Sequence, residues 1–279
     1  MPIHDQGYRR YLGTRDAIGR SWQVMTRAGV MSVVSKRVFL GMMLFAWAPF
    51  VVRVVQFYFA TTLAQASFLA PSGETFREFL DQQGIWVFFV TIYVGAGLIA
   101  NDRRANALQL YLSKPMTSAE YIAGKLAILF IFLVAVTFLP AILLLITQAL
   151  LAGNLTFTRN NLYLVPAITL YSLAQVLVAA TTMLALSSLS KSSRYVGILF
   201  AGVIFFTQAM YGVLYEVTRD SSWAWVSFSA NMNQLNAFIF RMRPAYATPW
   251  PVSLLMLLAV IAVSGVILER RVRGVEVVA

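Results

Sequence analysis

Residues Leu98–Lys125, LIANDRRANALQLYLSKPMTSAEYIAGK, set four cations, two acids and a proline between two long apolar runs. The stretch is too short to be a domain. It reads as a polar connection, and the runs around it decide what it connects. Of the 279 residues, 59% are hydrophobic and 12% charged, with a mean hydropathy of +0.71; a soluble globular domain carries about 25% charged residues. Apolar stretches of roughly 20 residues, enough to cross a bilayer as a helix, recur too often to form one buried core. They are continuous rather than alternating, which argues against an outer-membrane barrel. The expectation is an all-α integral membrane protein with six transmembrane helices, over Val38–Thr62, Gly84–Ala100, Tyr121–Leu150, Leu162–Leu189, Val196–Val217 and Pro251–Leu268.

The chain has no cysteine, so it holds no disulfide, thiolate metal site or cysteine nucleophile, and its one histidine, His4, makes no metal site alone. Lys and Arg are unevenly placed. One side of the six-span arrangement holds Arg9, Arg10, Arg15, Arg20, Arg27, Lys36, Arg37, Arg103, Arg104, Lys114, Lys191, Arg194, Arg270, Arg271 and Arg273; the other holds Arg77, Arg159, Arg219, Arg241 and Arg243. By the positive-inside rule both termini are expected in the cytoplasm, as for a multi-pass protein of the cell inner membrane. The net charge of +11 is then this bias plus attraction to anionic membrane lipids, and no nucleic-acid partner is needed to explain it. The start is not expected to be a cleavable signal, because the first apolar run begins late and is long.

Residues 1–37 are polar but patterned: Tyr8, Tyr11, Leu12, Ile18, Trp22, Val24 and Met25 alternate with arginines, as in a cytoplasmic amphipathic elbow lying at the headgroups. A basic tail held near lipid by charge alone is the other reading, favoured by Gly7, Gly13 and Gly19. Residues 38–279 form the six-helix domain. Within it, 101–118 is the connection quoted above, and 218–250 is the longest connection on the opposite face.

In the quoted connection, Asn101 or Asp102 is expected to cap a short helix whose Leu108, Tyr111 and Leu112 fall at i, i+3 and i+4, with Arg104 and Gln109 elsewhere. Pro115 stops it, because Lys114 is pushed out of the helical region. Thr117 and Glu120 have the spacing of a capping box, with Met116 and Tyr121 as the matching hydrophobic staple, so the third span has a defined start.

At these residues the sequence resembles the first cytoplasmic loop of ABC-2 type permeases, the membrane subunits of one class of ABC transporters. The matching positions are Gly97, Asp102, Arg103, Arg104, Leu108, Leu110, Leu112, Pro115, Met116, Thr117, Gly124 and Lys125. Six spans and a basic amphipathic lead-in extend the resemblance over nearly the whole chain. It implies an ABC-2 (type V exporter-like) fold and a subunit that does no chemistry and binds no cofactor. ATP and Mg would belong to a separate ABC ATPase subunit, docked on a coupling helix formed by Asp102, Arg103, Arg104, Leu108, Leu110, Tyr111, Leu112 and Pro115. It also implies a dimer, with a second copy or a paralogous permease, and in some members a periplasmic accessory protein. The chain has no G-x-x-x-x-G-K-[ST], and YIAGKL has only the final Gly-Lys, so Gly124 reads as a site of close helix approach rather than of nucleotide binding.

Arg53 sits within the first span, where a charge is costly; it reads either as a paired functional charge or as one snorkelling outward beside Gln56 and Tyr58. Gln208, Tyr211 and Tyr215 share a face of the fifth span, and Ser172, Gln175 and Thr182 one of the fourth. They are candidates for a translocation path or for inter-helix hydrogen bonds. Gly197 and Ala201 form a small-xxx-small pair suited to dimer packing, and Pro49, Pro140 and Pro166 are expected to kink their helices. In 218–250, Trp223, Trp225, Phe228, Phe238, Phe240 and Trp250 suit interfacial or short re-entrant helices. Met232 and Met242 are too few for a soft-metal site, so no metal site is assigned. The eleven acids are scattered and expected mostly in connections, which disfavours a lipid-modifying enzyme. An ABC membrane subunit that transmits force to a periplasmic partner is the alternative to export.

Overall fold

Two prolines divide spans that look continuous in the sequence. The computed structural model describes residues 21–63, 70–107 and 116–272. In the first span, α2 (Arg37–Ala46) and α3 (Ala48–Thr62) meet at Trp47, with Pro49 in the first turn of α3. In the third, α6 (Ser118–Val136) and α7 (Phe138–Ala152) meet at Thr137, three residues before Pro140. A proline ring cannot sit against the carbonyl four residues back, and its missing N–H leaves that carbonyl unbonded. Pro166 behaves differently. It lies in the first turn of α9 (Leu164–Leu189), where no intrahelical N–H bond is due, so the expected kink is absent.

The second span starts earlier than its apolar run. Ser72 and Thr75 form a capping box that opens α4 (Gly73–Val90), so Glu74, Arg77, Glu78 and Asp81 are helical rather than part of a connection. The ladder then loosens through a π-helical turn, Thr91–Gly95, and resumes as α5 (Ala100–Arg104). The fifth span is α10 (Ser193–Thr218) and the sixth α12 (Trp250–Arg271). In 218–250 lie a 3₁₀ turn, Ser221–Val226, and α11 (Phe228–Ile239), buried around most of its circumference. A short α8 (Thr156–Asn160) joins the third and fourth spans.

Among the described residues there is no strand, and six helical segments are long and apolar enough to cross a membrane. They differ in position within the bundle. In the apolar windows of the second, third and fourth spans, 50%, 56% and 61% of residues are buried within the chain, against 11% in the first and fifth and 22% in the sixth. The three inner spans form the core, and the other three present most of their apolar surface outward. Phe39, Ile99, Tyr121, Leu133, Met183 and Leu268 belong to one core cluster; Phe57, Phe76, Phe79, Ile168, Leu235 and Phe240 belong to a second, toward the other end.

Of residues 1–37 the structure describes 21–37; Tyr8, Tyr11, Leu12 and Ile18 lie outside the described residues. α1 (Ser21–Val34) packs along α6, and glycines on both helices allow it. A Cβ at Gly29 would collide with Ile128, and one at Gly124 would lie 3.2 Å from both the Trp22 carbonyl oxygen and Met25 Sδ. The Thr26 hydroxyl donates to the Gly124 carbonyl, 3.2 Å. The expected close approach at Gly124 is thus an approach of the N-terminal helix.

Candidate functional site

The polar connection begins as a continuation of the second span. Because the ladder is interrupted between Gly95 and Ala100, several backbone groups there have no intrahelical partner, and one side chain of the fourth span supplies it. Ser187 Oγ donates to the Ala96 carbonyl at 2.9 Å and accepts from the Ile99 and Ala100 amides at 3.1 and 3.0 Å. In an apolar surrounding each such group left unpaired costs several kcal/mol. The hydroxyl therefore locks the discontinuity of the second span to the fourth.

Neither Asn101 nor Asp102 caps a helix. Both lie inside α5, whose first position follows Ile99 with no side-chain cap. The Asn101 and Arg103 amides already bond the Gly97 and Ile99 carbonyls, at 3.1 and 2.9 Å, so the helical ladder is under way before either side chain could cap it. Asp102 turns instead toward the third span: its Oδ2 lies 2.7 Å from Lys125 Nζ and accepts from the Tyr121 hydroxyl, also 2.7 Å. The Lys125 ammonium stands 5.4 Å from the centre of the Tyr121 ring. The Lys125 side chain is 10% exposed and that of Asp102 18%, so the pair is largely withdrawn from water and hydrogen-bonded, as a buried charge requires.

Arg103 and Arg104 turn to the fourth span. Arg103 Nη1 donates to the Ser188 carbonyl, and Arg104 Nε donates to that of Lys191 at 3.1 Å. Those carbonyls lie where α9 runs out and has no further amides to offer, which is where cations bind a helix best. Asn106, at φ 52°, follows the end of α5 in the left-handed region that Asn tolerates. On the far side of the loop the predicted capping box is present: Thr117 Oγ1 accepts from the Glu120 amide at 3.2 Å, and the Glu120 carboxylate from the Thr117 amide at 2.9 Å. Met116 and Tyr121, the predicted staple, pack into the same core. Leu108, Leu110, Tyr111, Leu112 and Pro115 lie outside the described residues. The geometry thus ties one end of the loop to the third and fourth spans and caps the other.

The remaining sequence candidates are dispersed. Arg53 is paired with Glu78 of the second span and also reaches Gln56, the neighbour expected beside it. It donates to Glu78 Oε2 at 3.1 Å and to Gln56 Oε1 at 3.0 Å, and Glu78 is 54% exposed. Gln208 accepts from the Ser227 hydroxyl at 2.6 Å and so anchors the start of α11. Tyr211 stacks edge-on against Tyr246. Gln175 and Thr182 are buried on the fourth span, each with an oxygen that has no hydrogen-bond partner among the described residues. Gly197 faces inward, since a Cβ there would lie 3.1 Å from Ile92 Cγ2; the close packing it permits is with the second span of its own chain. Ala201 lines a groove beside it.

A second polar cluster has no counterpart in the sequence reading. Asp81 Oδ1 accepts from Asn236 Nδ2 at 2.5 Å and from the Tyr171 hydroxyl at 3.4 Å, with Arg77 Nε 4.0 Å from Oδ2. Tyr246, outside the spans, has its phenol pushed above its ordinary range, first by burial and then by the Asp81 charge, and so stays neutral. The sequence signal was available: Asp81 and Arg77 are spaced i, i+4, but they precede the apolar run and read as loop residues. Among the described residues no group of three or more His, Cys, Asp or Glu is placed to hold a metal. No protein-family model matches the sequence, and no curated protein matches it.

Proposed function

We propose that the chain is the membrane subunit of an ABC-2 type exporter, lying in the cell inner membrane with both termini cytoplasmic. A separate ABC ATPase subunit hydrolyses ATP and docks on the loop between α5 and α6. The observation that supports this most is the clamp at that loop. Asp102, Arg103 and Arg104 leave one short helix in different directions and bind the third and fourth spans, so a push on the loop is transmitted to three inner spans at once.

The orientation follows from charge. Lys36, Arg37, Arg103, Arg104, Lys191, Arg194, Arg270 and Arg271 fall at one end of the spans, which the positive-inside rule assigns to the cytoplasm. A reporter fused after Ala279 is expected to read as cytoplasmic, and one inserted beside Ser72 or Ser221 as external. The reverse pattern would overturn the arrangement.

The docking itself is tested at Leu108 and Leu112, which the sequence spacing would set on one face with Tyr111 in a helix. An amphipathic helix binds a partner by laying its apolar face in a groove. Removing an anchor at the centre of such an interface costs about 2 kcal/mol or more, roughly thirtyfold in affinity. Leu108→Asp and Leu112→Asp are each expected to release the ATPase subunit in a pull-down while leaving the chain folded and inserted. Retention of the ATPase at wild-type levels by both variants would remove the loop as the coupling element.

A further inference from the structure

Between the second, fourth and fifth spans and α11 lies a partly enclosed cavity of about 470 Å³, within the size range of small-molecule sites. Its wall is aromatic and aliphatic, including Phe88, Phe89, Phe200 and Phe205. Two of its polar groups stand out because each has an acceptor oxygen with no hydrogen bond among the described residues. Gln175 is 8% exposed, and its Oε1 has no hydrogen-bond partner among the described residues. Asp81 spends Oδ1 on Asn236 and Tyr171, but among the described residues Oδ2 has only Arg77 Nε, 4.0 Å away at the limit of an ion pair and beyond hydrogen-bond reach. Arg77 directs Nη2 to Asn233 Oδ1 at 3.4 Å and does not line the cavity. Gly84 also lines the cavity, and a Cβ there would make ordinary contact with the Gln175 amide nitrogen, at 3.4 Å.

We infer that this cavity binds an amphipathic ammonium ion, with its N–H groups on Asp81 Oδ2 and Gln175 Oε1 and its apolar body against the phenylalanines. A buried acceptor left unpaired is costly, and a carboxylate half withdrawn from water gains most from a cation. An aromatic wall adds attraction to positive charge. Two sources share this chemistry, a soluble lipophilic amine and the headgroup of an aminolipid. As the substrate class of an exporter the inference rests on the function proposed above; as a binding site it does not, because it requires only this chain.

The test uses the purified full chain in nanodiscs of phosphatidylcholine and phosphatidylglycerol, which contain no primary amine, with empty discs as the blank. Calorimetry compares 4-phenylbutylammonium with 4-phenylbutanol and 4-phenylbutyrate, three ligands alike in body and different in head. The ammonium is expected to bind at least about tenfold more tightly than the other two. Asp81→Asn, which keeps the oxygen that Asn236 and Tyr171 bond to, is expected to abolish the preference without unfolding the chain. Gln175→Leu is expected to reduce it. If phosphatidylethanolamine in the discs suppresses ammonium binding, the occupant is an aminolipid; if not, it is a soluble amine. Equal binding of the three heads, tighter binding of the carboxylate, or a preference that survives Asp81→Asn overturns the inference. None of these readouts involves the ATPase, so failure of the docking experiment at Leu108 and Leu112 leaves this result intact, and the reverse holds.

Discussion

Lys125→Met is expected to unfold the chain at markedly lower temperature than the wild type, and the double variant Lys125→Met/Asp102→Asn to recover most of the loss. The single change removes the ammonium 2.7 Å from Asp102 and leaves a carboxylate that is 18% exposed with Tyr121 as its remaining donor. Removing one partner of a buried, hydrogen-bonded pair costs about 3–5 kcal/mol, because the other charge is stranded. Asp102 retains some contact with solvent, so the lower end applies. For a chain of this size ~3 kcal/mol corresponds to a fall in Tm of roughly 5 °C. Asp102→Asn alone strands the more deeply buried ammonium and is expected to cost at least as much. The double variant replaces both charges by neutral groups of similar volume, and such replacement of a buried pair is often neutral. Additive losses would show that Asp102 and Lys125 are not coupled.

The same cycle bears on the function proposed. If the clamp carries force from the loop to the third span, the double variant, although folded, stimulates its ATPase less on addition of substrate than the wild type does. A clamp that serves folding alone leaves stimulation unchanged once stability is restored.

Why the sequence disclosed the span count but not this pair can be traced through particular residues. Continuous apolar runs report membrane-crossing length directly, and the Thr117–Glu120 capping box is local, so both were legible. The pair between Asp102 and Lys125 is not local. It depends on α5 continuing the second span beyond its apolar run, and on the π-helical turn at Thr91–Gly95 that sets which way Asp102 points. Neither has a compositional signature. Lys125 itself offered a clue, since a lysine flanked by apolar residues at the start of a span needs a partner. The Asp81 cluster was hidden for a similar reason: α4 starts at Gly73, and its first two turns are too polar to register as part of a span. Gly197 shows the opposite failure. Its spacing to Ala201 indicates close packing without saying against what, and Ile92 of the same chain occupies that place.

Gly124 allows the second large effect to be stated with an internal control. A Cβ at Gly124 would stand 3.2 Å from the backbone oxygen of Trp22, an atom that cannot rotate away, and 3.2 Å from Met25 Sδ. At Gly41, in the first span, a Cβ would meet nothing within 4 Å. Both glycines are helical, and by propensity alone Gly→Ala would stabilise each by about 1 kcal/mol. Packing reverses the sign at one of them. Gly124→Leu drives α1 away from α6, removes the hydrogen bond from Thr26 to the Gly124 carbonyl, and is expected to cost about 1–3 kcal/mol or more, as overpacking does. Gly124→Ala costs less, and Gly41→Ala is neutral or stabilising. The chain has no cysteine, so an engineered one reports without background. Val33, near the end of α1, is buried against the core, and Val33→Cys is expected to react slowly with a maleimide in the wild-type background. Adding Gly124→Leu should raise the labelling rate at least about tenfold, the factor that corresponds to 1.4 kcal/mol in an opening equilibrium. Adding Gly41→Leu should not. Equal labelling in the two backgrounds would mean that α1 is held by contacts other than its approach to Gly124, and the N-terminal helix would then be only loosely coupled to the span that carries Lys125.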